Sequence, residues 1–132
     1  MGRFFSLVQI KNNGSREQFL KAFCDVMKKR SLVPCSEKES SVSYILAFSE
    51  SGKWVTLASK EYRDNPKQVK DDAKQTAAEM KTSSFSMDVV DSDWTYIELH
   101  TGADVHDTVM VGRSEFDEEH SPKGRRECWE PI

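Results

Sequence analysis

Cysteine, proline and glycine are all scarce in this chain: three, four and six among 132 residues. Cys24, Cys35 and Cys128 are an odd set without paired spacing. Secreted domains of this size usually hold an even set of disulfide-linked cysteines. Free thiols in a reducing cytoplasm are therefore expected, with Cys24 as a small buried hydrophobe inside a helix. Gly14, Gly52, Gly102 and Gly112 are isolated and read as turn or strand-end residues. No apolar run approaches the ~18 residues of a membrane span, so no membrane partner is expected. The first ten residues hold one basic residue and a short apolar stretch without a small-residue cleavage site. They read as a strand and not as a signal peptide. Phosphate-cradling glycine loops, Gly-x-Ser-x-Gly elbows and calcium-loop spacings are missing as well. No cofactor and no enzymatic activity are expected.

Charge is plentiful, at 31% of residues, and unevenly placed. Residues 1–30 carry +5, residues 31–83 are neutral and residues 84–132 carry −8, for a net charge of −3. An acidic chain whose basic residues are not interleaved with aromatics does not suit nucleic acid. Its acidic end does suit a basic protein surface.

One pattern occurs twice. A helical stretch runs into a strand, a tight polar turn, a tryptophan and a second strand. The first copy holds Ser41–Phe48, Ser51-Gly52-Lys53 and Trp54–Leu57; the second holds Ser84–Val90, Asp91-Ser92-Asp93 and Trp94–Leu99. Ser15 to Gln18 has the form of a capping box. Beyond it, Phe19, Leu20, Phe23, Val26 and Met27 recur at helical spacing and predict one buried face. Asn65-Pro66 starts a second helix, with Val69, Ala73, Ala77 and Met80 as a narrow stripe that allows close approach to a sheet. Lys28-Lys29-Arg30 reads as a dipole-complementing helix end.

The element order is thus β-α-β-β-α-β-β-β, an α+β fold with two helices on one face of a mainly antiparallel sheet. Two pairings fit that order, the ferredoxin-like one and a duplicated helix-hairpin. If the hairpins are duplicates, Trp54 and Trp94 superpose and can line a shared groove. One domain spans 1–113. Residues 114–132 read as an acidic, linker-like tail that docks onto the domain or leads into a further segment of a longer protein.

Three clusters could carry binding. Trp54 and Trp94 offer paired aromatics. Phe116 sits among Asp117, Glu118 and Glu119, an aromatic anchor ringed by steering charge. His100, His106 and Asp104 flank a predicted turn, where two imidazoles and a carboxylate could hold zinc. Asp88, Asp91, Asp93 and Glu98 around the second hairpin read as ordinary turn chemistry.

The duplicated helix-hairpin order resembles, at fold level, bacterial effector-binding domains built from two such modules, whose groove accepts small molecules. In size and acidity the chain is also similar to small bacterial proteins that neutralise or regulate a partner, such as toxin-immunity proteins. The leading expectation is a cytoplasmic protein-interaction or regulatory domain. The alternative is a small-molecule-binding domain with its groove between the two hairpins.

Overall fold

A computed structural model describes residues 5–40, 42–59, 66–90, 94–101, 104–114, 117–120 and 129. The chain folds as β1 (Phe5–Lys11), α1 (Arg16–Lys29), a 3-10 turn (Glu37–Glu39), β2 (Tyr44–Phe48), β3 (Trp54–Ser59), α2 (Pro66–Glu79), β4 (Ser83–Val90), β5 (Trp94–Thr101), β6 (Asp104–Ser114) and β7 (Asp117–His120). The sheet order is β2-β3-β1-β4-β5-β6-β7, with every neighbouring pair antiparallel. Both helices lie on one face and touch each other. The fold is therefore α+β, with the strand and helix order that the sequence predicts.

Strand pairing decides between the two arrangements. β1 lies between β3 and β4, and each helix carries the chain past one intervening strand. That is the ferredoxin-like split order for the first six elements, continued by a meander through β5, β6 and β7. The hairpins are not duplicates. Strand directions alternate across the sheet, so β2 and β4, three places apart, run in opposite directions. Superposing them with both helices on one face needs a rotation about the sheet normal, which reverses left and right. Yet β3 follows β2, and β5 follows β4, toward the same side of the sheet. The shared strand–turn–Trp–strand pattern does not carry a structural repeat.

Local chemistry explains the elements. Ser15 caps α1 by accepting from the Gln18 amide at 3.1 Å, and the Gln18 side chain accepts from the Ser15 amide at 2.7 Å. Both helices end alike. After α1, Leu32 N–H reaches Met27 C=O (3.0 Å) and Ser31 N–H reaches Lys28 C=O (2.9 Å). After α2, Thr82 N–H reaches Ala77 C=O (2.9 Å) and Lys81 N–H reaches Ala78 C=O (3.1 Å). These are Schellman closures, and they hold Ser31 and Lys81 at φ 61° and 53°, a conformation that glycine adopts more cheaply. Gly52, at φ 75°, closes the β2–β3 turn by donating to Ser49 C=O at 2.8 Å.

The core between helices and sheet contains Val8, Ile10, Phe19, Phe23, Val55, Leu57, Val69, Ala73 and Ala77, with Met27 and Met80 at its margin. Phe19, Phe23, Val69, Ala73 and Ala77 thus share one layer, as their spacing predicts. Two expectations fail on α1. Leu20 is 44% exposed, because its place on the helical wheel lies beside the buried Phe19–Phe23–Val26 line, and Ala22 is buried instead. Cys24 is exposed, one position past that line.

The sheet continues past residue 113, because β7 pairs with β6. Further along, the indole N–H of Trp129 donates to Asp107 Oδ2 at 2.6 Å. Asp107 lies opposite Leu99, and Leu99 is fully buried on the face that carries no helix. Among the described residues, no helix is long and apolar enough to cross a membrane.

Candidate functional site

A cavity of about 450 Å³ opens between the C-terminal half of α1 and the segment 31–43. Phe23 and Met27 line it from the helix, Leu32, Val33 and Pro34 from the segment, and Tyr44 from the start of β2. The Schellman turn creates this space by throwing the chain sideways out of α1, so that the segment runs beside the helix. Ser40, Ser43, Cys24 and Cys35 complete the lining. No charged side chain lines it among the described residues. Two of its walls were marked in the sequence only as a helix face and a loop.

A buried ionic cluster stands behind this cavity. Asp72, on α2, is 1% exposed. It accepts from Arg30 Nη1 at 2.6 Å, from Gln68 Nε2 at 3.1 Å and from the Tyr44 hydroxyl. Burial pushes the Asp72 carboxyl above the ordinary range, and the Tyr44 hydrogen bond and the Arg30 charge pull it partly back. The Tyr44 ring is also fixed edge-on against Phe23, with centroids 5.2 Å apart. Tyr44 is therefore held rigidly between core, cluster and cavity. Arg30 is more than a dipole-complementing charge: half-buried itself, it pairs with a buried carboxylate and links the end of α1 to α2. Its neighbour Lys29, the last residue of α1, bridges to Glu79 at the end of α2.

A second polar layer lies under α2, where the sheet would ordinarily be apolar. Strand alternation turns Ser84, Ser86 and Asp88 of β4, and Tyr96, Glu98 and His100 of β5, toward the helices. His100 is 2% exposed; its Nε2 is 3.1 Å from Glu98 Oε2 and its Nδ1 is 3.5 Å from Ser84 Oγ. The Tyr96 hydroxyl donates to Glu98 Oε1 at 3.0 Å, and Lys70 pairs with Asp88. Burial would raise Glu98, but the hydrogen bonds from His100 and Tyr96 outweigh it and hold the carboxyl low. Burial holds His100 below its ordinary value despite Glu98. Tyr96 is pushed up to about 12 by burial and by its bond to Glu98. Ser84, His100 and Glu98 form a hydroxyl–imidazole–carboxylate chain, but Ser84 is only 1% exposed. A substrate cannot reach that hydroxyl, so the chain reads as a buried hydrogen-bond network.

This layer sets a pH response. The unfolded chain binds a proton at His100 near pH 6.5 and the folded protein resists it, so acidification below that value favours unfolding. Glu98 adds to the loss at lower pH, as its depressed carboxyl becomes protonated. Urea denaturation should show stability falling as pH drops from 7 to 5, by at most about 1.4 kcal/mol per pH unit for one proton. His100→Gln keeps a donor for Glu98 and should flatten that slope. An unchanged slope in the variant would assign it to other groups.

The residues singled out in the sequence are distributed as follows. Trp54 is half-buried on the face away from the helices, edge-on to Phe85 at 5.6 Å beside a shallow hollow. Position 94 opens β5, opposite Val90 and Gly112, and by strand alternation shares the face of Tyr96, so the two tryptophan positions lie on opposite faces. The Trp94 side chain lies outside the described residues, as does Phe116. Asp117, Glu118 and Glu119 belong to the edge strand β7, with their side chains outside the described residues. The structure separates His100, buried against Glu98, from the exposed His106, which falls at an irregularity in the β5–β6 register. Asp104 pairs in register with Thr101, and its side chain lies outside the described residues. Among the described residues, no three His, Cys, Asp or Glu side chains form a metal-holding group. No protein-family model, curated protein or solved structure matches this chain.

Proposed function

We propose that this protein binds a neutral, largely apolar small molecule in the cavity between α1 and segment 31–43. One observation carries the reading: a cavity of about 450 Å³ lined by apolar and uncharged polar side chains, at which Tyr44 is anchored by a buried ionic cluster. Small-molecule sites typically occupy roughly 300–1,000 Å³ and combine apolar walls with a few rigidly placed polar groups. The absence of charge from the described lining argues for a neutral ligand, because an ion would lose its hydration without compensation. Binding without turnover fits the site, since the only hydroxyl–imidazole–carboxylate chain among the described residues is sealed from solvent. A cytoplasmic location belongs to the same reading, because the exposed thiols of Cys24 and Cys35 persist best in a reducing compartment.

The test is thermal melting with a panel of neutral aromatic alcohols, 1-naphthol among them. A binder present at 100 times its Kd stabilises the fold by about 2.7 kcal/mol, which raises Tm by several degrees. Val33 is 75% exposed at the cavity wall. Val33→Trp should fill the space, abolish the shift and alter stability by no more than about 0.5 kcal/mol. Equal stabilisation of the filled variant sinks the proposal.

A second reading keeps a basic protein partner at the acidic end. It is favoured by the placement of Asp117–His120 as a sheet edge, where consecutive acids can meet a basic surface. Neutralising Asp117, Glu118 and Glu119 should then slow association, most at low salt.

A further inference from the structure

We infer that β2 is a dimerisation edge, where two copies of this protein pair β2 to β2 in antiparallel register about a two-fold axis at Leu46. The two ends of the sheet differ in kind. β7 has the sequence Asp-Glu-Glu-His, and charge of one sign is a standard protection against edge-to-edge pairing. β2 has the sequence Tyr-Ile-Leu-Ala-Phe. It contains no charge and no proline, and its register against β3 is unbroken. Among the described residues its protection is brevity alone. Among the described residues, no strand lies beyond it. Ile45, 67% exposed, is one of the few large apolar side chains left in solvent, and Ala47 beside it is exposed too.

The backbone of β2 suits the pairing. Ser49 N–H donates to Trp54 C=O at 2.8 Å, which marks 49 and 54 as a hydrogen-bonded pair. Alternation along an antiparallel ladder then turns the amides of Leu46 and Phe48 away from β3, toward the edge. A two-fold axis at Leu46 sets the outward amide of Leu46 against its own copy and places Phe48 opposite position 44 of the second copy. Side chains match as well. Ile45 meets Ala47 on the helix-free face, large against small. Tyr44 meets Phe48 on the other face, an aromatic cross-strand pair of the kind that stabilises sheets. A β2-to-β7 contact would set an apolar strand against an acidic one and would propagate without closing. The two-fold arrangement closes.

Sedimentation velocity on the full chain tests this. The wild type should show a concentration-dependent species of twice the 15.1 kDa chain mass. The double substitution Ile45→Lys with Ala47→Lys alters two exposed positions outside the core and sets like charges opposite each other across the axis. It should weaken dimerisation at least about tenfold, with circular dichroism confirming an intact fold. Ile45→Lys with Ala47→Glu sets opposite charges across the same axis and should restore the dimer. A wild type that stays at 15.1 kDa at its highest soluble concentration overturns the inference. So does a dimer indifferent to the double lysine substitution, or a lysine–glutamate variant that remains monomeric.

Discussion

Phe19→Ala is expected to destabilise the protein by about 3–5 kcal/mol, the usual range for truncating a core phenylalanine. Phe19 is fully buried, meets Phe48 edge-on with centroids 5.6 Å apart, and belongs to the cluster joining α1 to β1 and β3. Its removal leaves a void that rigid strands on one side and α2 on the other cannot close. Domains of this kind are stable by only about 5–15 kcal/mol, so the variant should unfold at much lower urea. Phe23→Ala should fall near the bottom of that range, because Phe23 already borders the open cavity and fewer contacts are lost. A loss under about 1 kcal/mol at Phe19 would mean that α1 does not seat as described.

Arg30→Met should cost about 3 kcal/mol at neutral pH, the lower end for stripping a buried charge of its partner. Asp72 stays at 1% exposure with only Tyr44 and Gln68 as donors, which is why the cost is not larger. Loss of the guanidinium removes a contribution that lowers the Asp72 pKa, so the already raised carboxyl rises further. The penalty exists where the carboxyl must be ionised and disappears as it becomes protonated. The gap between wild type and variant should therefore narrow as pH falls toward 4. Asp72→Leu added to Arg30→Met should recover much of the loss, since an apolar pair of similar volume replaces a buried ionic one without stranding a charge. A cost below about 0.5 kcal/mol would class the pair with ordinary surface bridges.

Local signals in the sequence carried the fold's elements well, and long-range pairing carried the rest. The Ser15–Gln18 cap, the Phe19–Phe23–Val26 face and the Val69–Ala73–Ala77 stripe depend on neighbours within two helical turns, so their spacing reveals them. Strand order does not: the same element string fits a duplicated hairpin, and only β1 lying between β3 and β4 removes that option. The cluster behind the cavity left a trace that is clear in retrospect. Asp72 and Thr76 stand between Val69 and Ala77 at spacings that place them on the buried side of α2, and both are buried. β4 misleads for a physical reason. Its apolar set, Phe85, Met87 and Val89, faces away from the helices, and its polar set faces them. Alternation reports that a strand has two unlike faces but not which one the helices cover. Trp129 is likewise beyond local reading, because its partner Asp107 is 22 residues earlier.

The claim that the α1–segment cavity is a ligand site is tested most directly by methyl-resolved NMR of the full chain titrated with 1-naphthol. Binding as proposed shifts the methyl signals of Met27, Leu32, Val33 and Val42, which line the cavity, and leaves those of Leu7, Met87 and Ile97 on the helix-free face unmoved. Saturable shifts on the helix-free face with the cavity methyls silent would contradict it.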